Sequence, residues 1–288
     1  MKIGAVFPQT EIGSDPANIR RYAQAVEEMG FDYILVYDHV LGANPDRPGG
    51  WSGRYNSGHM FHEIFVLLGY LAALTRNVQL VTGIVILPQR QTALVAKQAA
   101  EVDVLSGGRL RLGVGIGWNE IEYIGLGENF RNRGKRVEEQ VTVLRELWTK
   151  PHVTFNGERH TIPDAGLNPL PVQRPIPVWF GGMSDAALRR MARIGDGWIA
   201  NPIPYERLQA SLEALRGYVE QAGRDPKQFG VDFRLNANQP PANSWAEEVE
   251  RLDKLNVTHV CFGTMDAGFT DLDQHLEALR KFKAEVKA

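Results

Sequence analysis

"VQLVTGIVIL" (78–87) and "RLRLGVG" (109–115) are two apolar runs that flank a helical pattern at 92–105. Two buried strands joined by a helix are typical of neighbours in a parallel sheet whose outer face is covered by helices. The same alternation continues on both sides, and further strands are predicted at 2–7, 33–39, 178–180, 197–200, 229–235 and 257–262. Eight strand–helix units in 288 residues predict an α/β fold closed into a (β/α)8 TIM barrel, rather than an open doubly wound sheet.

The chain contains no stretch that is typical of a linker between domains, so we predict a single domain over 1–288. Residues 150–175 form a small insertion in the barrel pattern. Within it, "HVTFNGERHTI" (152–162) predicts a hairpin around Asn156-Gly157, and "NPLPVQRPIP" (168–177) returns the chain to the barrel.

Three alternating glycines, Gly113, Gly115 and Gly117, end the strand at 109–115. They do not form the dinucleotide fingerprint G-x-G-x-x-G, because Trp118 occupies the position of its last glycine when the motif is read from Gly113. Since side chains alternate along a strand, glycines two residues apart leave one face bare. This bare face either admits a flat ligand ring at the barrel mouth or relieves crowding inside the barrel.

Composition argues against charged polymers as partners. The net charge is −2, so no basic surplus predicts binding to nucleic acid or to an anionic membrane. The only cysteine is Cys261, in an apolar run, which excludes an intramolecular disulfide. "MKIGAVFPQT" (1–10) lacks the apolar core of a signal peptide, and no apolar run reaches the roughly 18 residues of a membrane-spanning helix. We therefore expect a cytoplasmic protein that acts on a small molecule.

The active site of a TIM barrel lies at the C-terminal ends of its strands. The residues predicted there are Phe7, Asp38, His39, Gly83, Ile84, Gly115, Gly117, Trp118, Gly181, Gly182, Met183 and Ser184. In "FGGMSDAALRRM" (180–191) two glycines precede Ser184, which is a good helix N-cap. The start of this helix is either a phosphate site or an ordinary capped turn.

At these residues the sequence resembles the luciferase-like monooxygenase superfamily, the bacterial luciferase-like flavin and deazaflavin enzymes. The resemblance covers nearly the whole chain and is most specific over 80–127, 131–148 and "IPVWFGG" (176–182). It implies a TIM barrel, a tricyclic cofactor across the barrel mouth, and a homodimer. It also implies a bulge at Thr82-Gly83-Ile84, often with a non-proline cis peptide, and a cofactor phosphate on the loop of Gly181, Gly182, Met183 and Ser184.

"YDHV" (37–40) resembles the branch of the superfamily that uses coenzyme F420, in which a histidine after an aspartate stands near the reactive ring carbon. His39 and Asp38 match these positions, and His39 is either catalytic or a structural residue of the rim. Trp118 stands where the sugar-phosphate dehydrogenases of this branch have a catalytic carboxylate, so their activity is not transferred. Trp118 either forms a wall of the cofactor pocket or packs under a loop, and the loop at 42–58 is either a lid or a surface loop.

The residues and the resemblance together predict an F420-dependent oxidoreductase that transfers a hydride to or from a small organic substrate. A monooxygenase using reduced FMN and a non-catalytic flavin-binding accessory protein are the alternatives. The predicted catalytic residues are His39 and Asp38, and no cluster of side chains has the spacing of a metal site. The predicted cofactor-binding residues are Phe7, Thr82, Gly83, Ile84, Gly115, Gly117, Trp118, Gly181, Gly182, Met183 and Ser184.

Overall fold

Every apolar run predicted as a barrel strand contains a strand in the computed structural model, which describes residues 1–287. In chain order the strands are β1 (Lys2–Val6), β2 (Tyr33–Val36), β3 (Gln79–Thr82), β4 (Val85–Ile86), β5 (Leu110–Gly115), β6 (Val153–Asn156), β7 (Thr161–Ala165), β8 (Val178–Gly181), β9 (Gly197–Ala200), β10 (Gly230–Asn236) and β11 (His259–Gly263).

Eight of these strands pair in parallel and close into a ring. From β1 the ring runs through β2, β3, β5, β8, β9, β10 and β11 back to β1. Ile3 of β1 lies opposite Val260 of β11, and Leu80 of β3 lies opposite Leu110 of β5. The predicted (β/α)8 TIM barrel is confirmed, and β4 continues the line of β3 beside β5.

Helices cover the outside of the barrel. They are α1 (Pro16–Glu28), α2 (Ile64–Leu74), α3 (Thr92–Ser106), α4 (Glu120–Gly125), α5 (Arg133–Thr149), α6 (Asp185–Ile194), α7 (Tyr205–Gln221), α8 (Trp245–Lys254) and α9 (Leu272–Lys287). Their apolar stripes pack inward: Leu208, Leu212, Leu215 and Val219 of α7 are all buried. Over residues 1–287, none of the helices combines the length and apolarity that a membrane span requires.

The predicted insertion contains the predicted hairpin. Strands β6 and β7 pair antiparallel, and the amide of Gly157 donates to the carbonyl of His160 at 2.8 Å. The connection is longer than a two-residue Asn-Gly turn because Glu139 of α5 accepts hydrogen bonds from the amides of Glu158 and Arg159. A contact with a distant helix therefore determines the turn.

The strand predicted at 78–87 is interrupted, as the family resemblance implied. β3 ends at Thr82, the bond between Gly83 and Ile84 is cis, and the chain resumes as β4. The Ile84 side chain lies against the bare backbone of two neighbouring strands. A Cβ added to Gly115 would lie 2.5 Å from Ile84 Cδ1, and one added to Gly181 would lie 3.2 Å from Ile84 Cγ2.

These distances answer the question raised by the alternating glycines. A Cβ on Gly113 would lie 2.0 Å from the carbonyl oxygen of Thr82, so Gly113 relieves crowding and does not leave a face for a ligand. Gly117 has φ +63° and faces Ile86. The space beside Gly115 is filled by Ile84 and is not open. The glycines thus let β3, β4 and β5 approach closely. A ligand in the cleft would contact the Ile84 side chain beside Gly115, not bare backbone.

Gly113→Ala should therefore destabilise the fold. Its Cβ would overlap backbone, which cannot turn aside as a side chain can, and overpacking of this kind costs about 1–3 kcal/mol. We expect a fall in Tm in a thermal melt. The matched control is Gly217→Ala in α7, where a Cβ meets nothing within 4 Å. This control should gain about 0.5–1 kcal/mol, and equal melting of the two variants would contradict the packing account.

Candidate active site

A cleft opens at the C-terminal end of the barrel. Its inner cavity, of about 270 Å³, is lined by the ends of β2, β5, β8, β9 and β10 and by the Gly83-Ile84 bulge. Its floor includes Leu35, Asp232 and Cys261 from inside the barrel. The outer cavity, of about 450 Å³, extends the cleft toward His39 and Tyr55. The two cavities share seven residues, which are Tyr37, Gly83, Ile84, Gly117, Trp118, Asn201 and Arg234.

Most of the predicted cofactor-binding residues meet at the inner cavity. The eight that line it are Gly83, Ile84, Gly115, Gly117, Trp118, Gly181, Gly182 and Ser184. They come from strands far apart in sequence, as expected for residues at the mouth of one barrel.

Three predicted cofactor-binding residues, Phe7, Thr82 and Met183, do not line either cavity, and their contact with a cofactor stays a prediction. Phe7 is fully buried outside the barrel wall, where its ring lies 5.2 Å from that of Tyr22. Thr82 is also buried, and its hydroxyl donates to the carbonyl of Gly113 at 2.7 Å. Met183 packs against the core. Phe7 directly follows β1, and Thr82 is the last residue of β3. Alternate side chains along a barrel strand face the surrounding helices, and the side chains of Phe7 and Thr82 are among those that do.

The loop after β8 offers free amides to the inner cavity. Gly182 has φ +113°, and Ser184 caps α6 by accepting a hydrogen bond from the amide of Ala187 at 3.2 Å. Among the residues described, the amides of Gly182, Met183 and Ser184 have no hydrogen-bond acceptor. Free amides at the positive end of a helix dipole favour an anion, so this end of the cavity suits a phosphate.

His39 lines the outer cavity and is held by a carboxylate. Its Nδ1 lies 3.1 Å from Oε2 of Glu122, a residue of α4 whose side chain is fully buried. The other oxygen, Oε1, accepts from the amides of Val40 and Leu41 at 2.5 and 3.1 Å. Burial alone would raise the pKa of Glu122, but the hydrogen bonds from His39 and these amides lower it below its ordinary value. A carboxylate at this distance favours the tautomer with the proton on Nδ1.

Asp38 does not orient His39, although the two are adjacent in sequence. Its carboxylate accepts from Arg90 at 2.7 Å and from the amide of Ile86 at 3.2 Å. Consecutive side chains in extended backbone point to opposite sides, which separates Asp38 from His39. Burial raises the pKa of Asp38, and the Arg90 guanidinium acts against that rise. Asp38 therefore anchors β4 next to the bulge.

Aromatic rings enclose His39 on the solvent side. Its ring centroid lies 4.9 Å from Phe61, 5.4 Å from Tyr55 and 5.8 Å from Trp118. Trp51 packs on Trp118 at 5.9 Å. Trp118 lines both cavities and also contacts Trp51 of the loop at 42–58, and its contact with a cofactor stays a prediction. Arg54 and Tyr55 of that loop line the outer cavity.

Sequence reasoning missed the polar residues inside the cleft. Asp232, Arg234 and Asn236 occupy alternate positions of β10 and line the cavities. Their period of two in an otherwise apolar strand was a signal for an inward polar face. Glu122 carried no such signal, since its approach to β2 depends on tertiary packing. Within residues 1–287, no group of three or more His, Cys, Asp or Glu side chains is arranged to hold a metal ion.

Solved structures with the same fold include enzymes of different chemistry. One is an F420-dependent secondary alcohol dehydrogenase in complex with an F420-acetone adduct, and another is a monooxygenase from Streptomyces bottropensis. Each has a TM-score of 0.79 and 19% identity, and each match covers 100% of this chain and 99% of the other. At this identity the likeness supports the fold alone.

The relatives that are similar in sequence include enzymes named for two different cofactors. An uncharacterised protein of Mycobacterium tuberculosis is 38% identical over 281 residues, which cover 92% of this chain and 93% of the relative. The F420-dependent glucose-6-phosphate dehydrogenase of Amycolatopsis mediterranei is 29% identical, with coverages of 90% and 83%. The FMNH2-dependent dimethylsulfone monooxygenase of Pseudomonas putida is 30% identical, with coverages of 82% and 62%.

The family model described as luciferase-like monooxygenase matches residues 1–278, which include all eight strands of the barrel. Some relatives are named for F420 and others for reduced FMN, so a flavin-like cofactor is common to the family. The chain belongs to the luciferase-like monooxygenase family of oxidoreductases.

Proposed function

We propose that this protein is an F420-dependent oxidoreductase that transfers a hydride between the cofactor and a small organic substrate. The observation that carries the proposal is the His39–Glu122 pair at the cleft, 3.1 Å between Nδ1 and Oε2. Oxidation of an alcohol, or reduction of a carbonyl, moves a proton together with the hydride. An imidazole that lines the cleft and is oriented by a carboxylate is suited to that proton transfer.

The residues of the cleft fit a flat cofactor with an anionic tail. Ile84, seated on Gly115 and Gly181, presents an apolar surface at the boundary of the two cavities, and Trp118 stands beside it. The amides of Gly182, Met183 and Ser184 would hold the phosphate. F420, when bound, supplies a ring carbon that accepts or donates a hydride.

The side chains of this protein would handle the proton and exclude water. For an alcohol, His39 Nε2 takes the hydroxyl proton as the C–H bond gives up its hydride, and in the reverse direction it returns the proton to the carbonyl oxygen. Glu122 keeps the imidazole oriented and stabilises its protonated form. Tyr55, Phe61 and Trp118 shield this exchange from solvent.

A second candidate, a monooxygenase that uses reduced FMN and oxygen, has the Pseudomonas putida relative in its favour. Such an enzyme must also keep water from its cofactor, so the aromatic wall serves either chemistry. The histidine–carboxylate pair suits the hydride-transfer reaction, because oxidation of an alcohol or reduction of a carbonyl needs a proton acceptor or donor beside the substrate.

His39→Ala should lower kcat by about 10²–10⁴-fold, the usual contribution of a positioned proton donor. Cofactor affinity should not change. Turnover is followed by F420 absorbance with a substrate found among small alcohols and carbonyl compounds. Glu122→Gln should lower kcat less, since the amide oxygen still accepts from Val40 and Leu41, and should move the acidic limb of the pH–rate profile to lower pH. The exposed His152→Ala is the matched control. Full turnover by His39→Ala would rule out its proposed role.

Gly182→Asp should weaken F420 binding by at least about tenfold relative to Gly182→Asn. Both variants put a side chain of the same shape at φ +113°, so backbone strain is shared and only the charge differs. The carboxylate would stand where the amides meet an anion, and about 1.4 kcal/mol of repulsion corresponds to a factor of ten. Calorimetric titration measures both affinities. Equal affinities would show that no anion binds at this loop.

A further inference from the structure

Arg234 is a cation inside the cleft that has no acidic partner. It projects from β10 and lines both cavities. Its guanidinium donates to the hydroxyl of Tyr37 and, at 3.3 Å, to Oδ1 of Asn201. Its Nε is buried without any hydrogen-bond partner. In the described part of the chain, no carboxylate forms an ion pair with it.

The other arginines that line the cleft are neutralised. Arg54 pairs with Asp266 at 2.6 Å, and Arg190 pairs with Glu138 at 3.0 Å. Asp232 lies two residues before Arg234 on the same face of β10. Its carboxylate pairs with Arg111 at 3.0 Å and accepts a hydrogen bond from the hydroxyl of Tyr33 at 2.7 Å. Asp232 is near enough to interact electrostatically with Arg234, but its hydrogen bonds go to Arg111 and Tyr33, so no carboxylate is bonded directly to Arg234.

The hydrogen-bond partners of Arg234 do not supply a negative charge either. Burial raises the pKa of Tyr37 to about 12, so the hydroxyl beside Arg234 stays neutral at physiological pH. Asn201 is uncharged. A partly buried guanidinium with neutral partners is costly to desolvate, and an anion in the cleft would lower that cost.

We propose that Arg234 binds the carboxylate of the substrate, which makes the substrate a small organic acid. A guanidinium matches a carboxylate through paired hydrogen bonds. Amide side chains of Asn236 and Gln239 line the same outer cavity and add polar contacts, whereas the wall on the side of His39 is aromatic. An acid held by Arg234 would place the carbon next to its carboxylate in the outer cavity, which His39 also lines.

The redox part of this inference rests on the proposed function. A 2-hydroxy acid would lose a hydride from its hydroxyl-bearing carbon to F420 and its hydroxyl proton to His39 Nε2. The product would be the 2-oxo acid. In the reverse direction reduced F420 would supply the hydride and His39 the proton. The carboxylate takes no part in the bond changes, so Arg234 determines which substrate binds and in which orientation.

An anionic group of the cofactor is the other source of negative charge for Arg234. Arg234 lines the inner cavity with Gly182 and Ser184 as well as the outer cavity with His39. The substrate is favoured because the free amides of the loop after β8 already suit the cofactor phosphate. The two sources predict different losses when Arg234 is replaced.

The test is calorimetric titration of the F420-loaded protein with 2-hydroxy carboxylates of two to six carbons and with the matching 1,2-diols. We expect at least one acid to bind more tightly than its diol. Arg234→Met keeps an unbranched side chain but removes its charge, so it should lower the affinity for that acid by about 10- to 100-fold. Arg234→Lys should recover part of the loss. Thermal melts of both variants establish that they fold.

The outcomes separate this inference from the proposed function. The inference is overturned if no acid binds more tightly than its diol, or if Arg234→Met binds the acid as well as the wild type does. It is also overturned if Arg234→Met loses affinity for F420 and keeps it for the acid. If wild-type protein binds no F420 but binds an acid in an Arg234-dependent manner, the carboxylate site stands and the proposed function fails.

Discussion

The contact between the Ile84 side chain and the bare backbone of Gly115 and Gly181 determines the shape of the barrel mouth. A Cβ at Gly115 would lie 2.5 Å from Ile84 Cδ1 and force the end of that side chain to move, whereas a Cβ at Gly181 would lie 3.2 Å from Ile84 Cγ2 and require a smaller shift. Because Ile84 sits in that hollow, it gives the inner and outer cavities a common apolar boundary. The position of a flat ligand, and of the groups arranged around it, follows from this packing.

Charge in the cleft is distributed around that boundary. The free amides of Gly182 and Ser184 lie at one end of the inner cavity, and the unpaired guanidinium of Arg234 lies where the two cavities meet. His39 lines the outer cavity beside aromatic rings, and the buried carboxylate of Glu122 contacts its Nδ1. This order of anion site, apolar surface and proton donor is what a hydride-transfer enzyme with a phosphorylated cofactor requires.

The barrel was predictable because its signals are local. Apolar runs and helical stripes recur with clear periods, and the strand ends then identify the mouth without knowledge of any contact. The structure departs from the prediction in side-chain direction and in tertiary contacts. Phe7 and Thr82 follow or end strands at the mouth but do not line the cavities, which the alternation along a strand explains. Asp38 lines the outer cavity but bonds to Arg90 and Ile86 rather than to His39. Glu122 reaches His39 from a helix 83 positions further along the chain, and no sequence period records such a contact. The polar alternation of Asp232, Arg234 and Asn236 was visible in the sequence and was not used.

The most direct test of the account is the affinity of the purified protein for F420 and for FMN, each in oxidised and reduced form. Fluorescence titration serves the oxidised forms, and anaerobic calorimetry serves the reduced ones. The account predicts saturable binding of one F420 per chain, at lower concentrations than FMN in the corresponding redox state. Tighter binding of reduced FMN would contradict the hydride-transfer proposal in favour of a monooxygenase, and the absence of binding by either cofactor would contradict the assignment of the cleft itself.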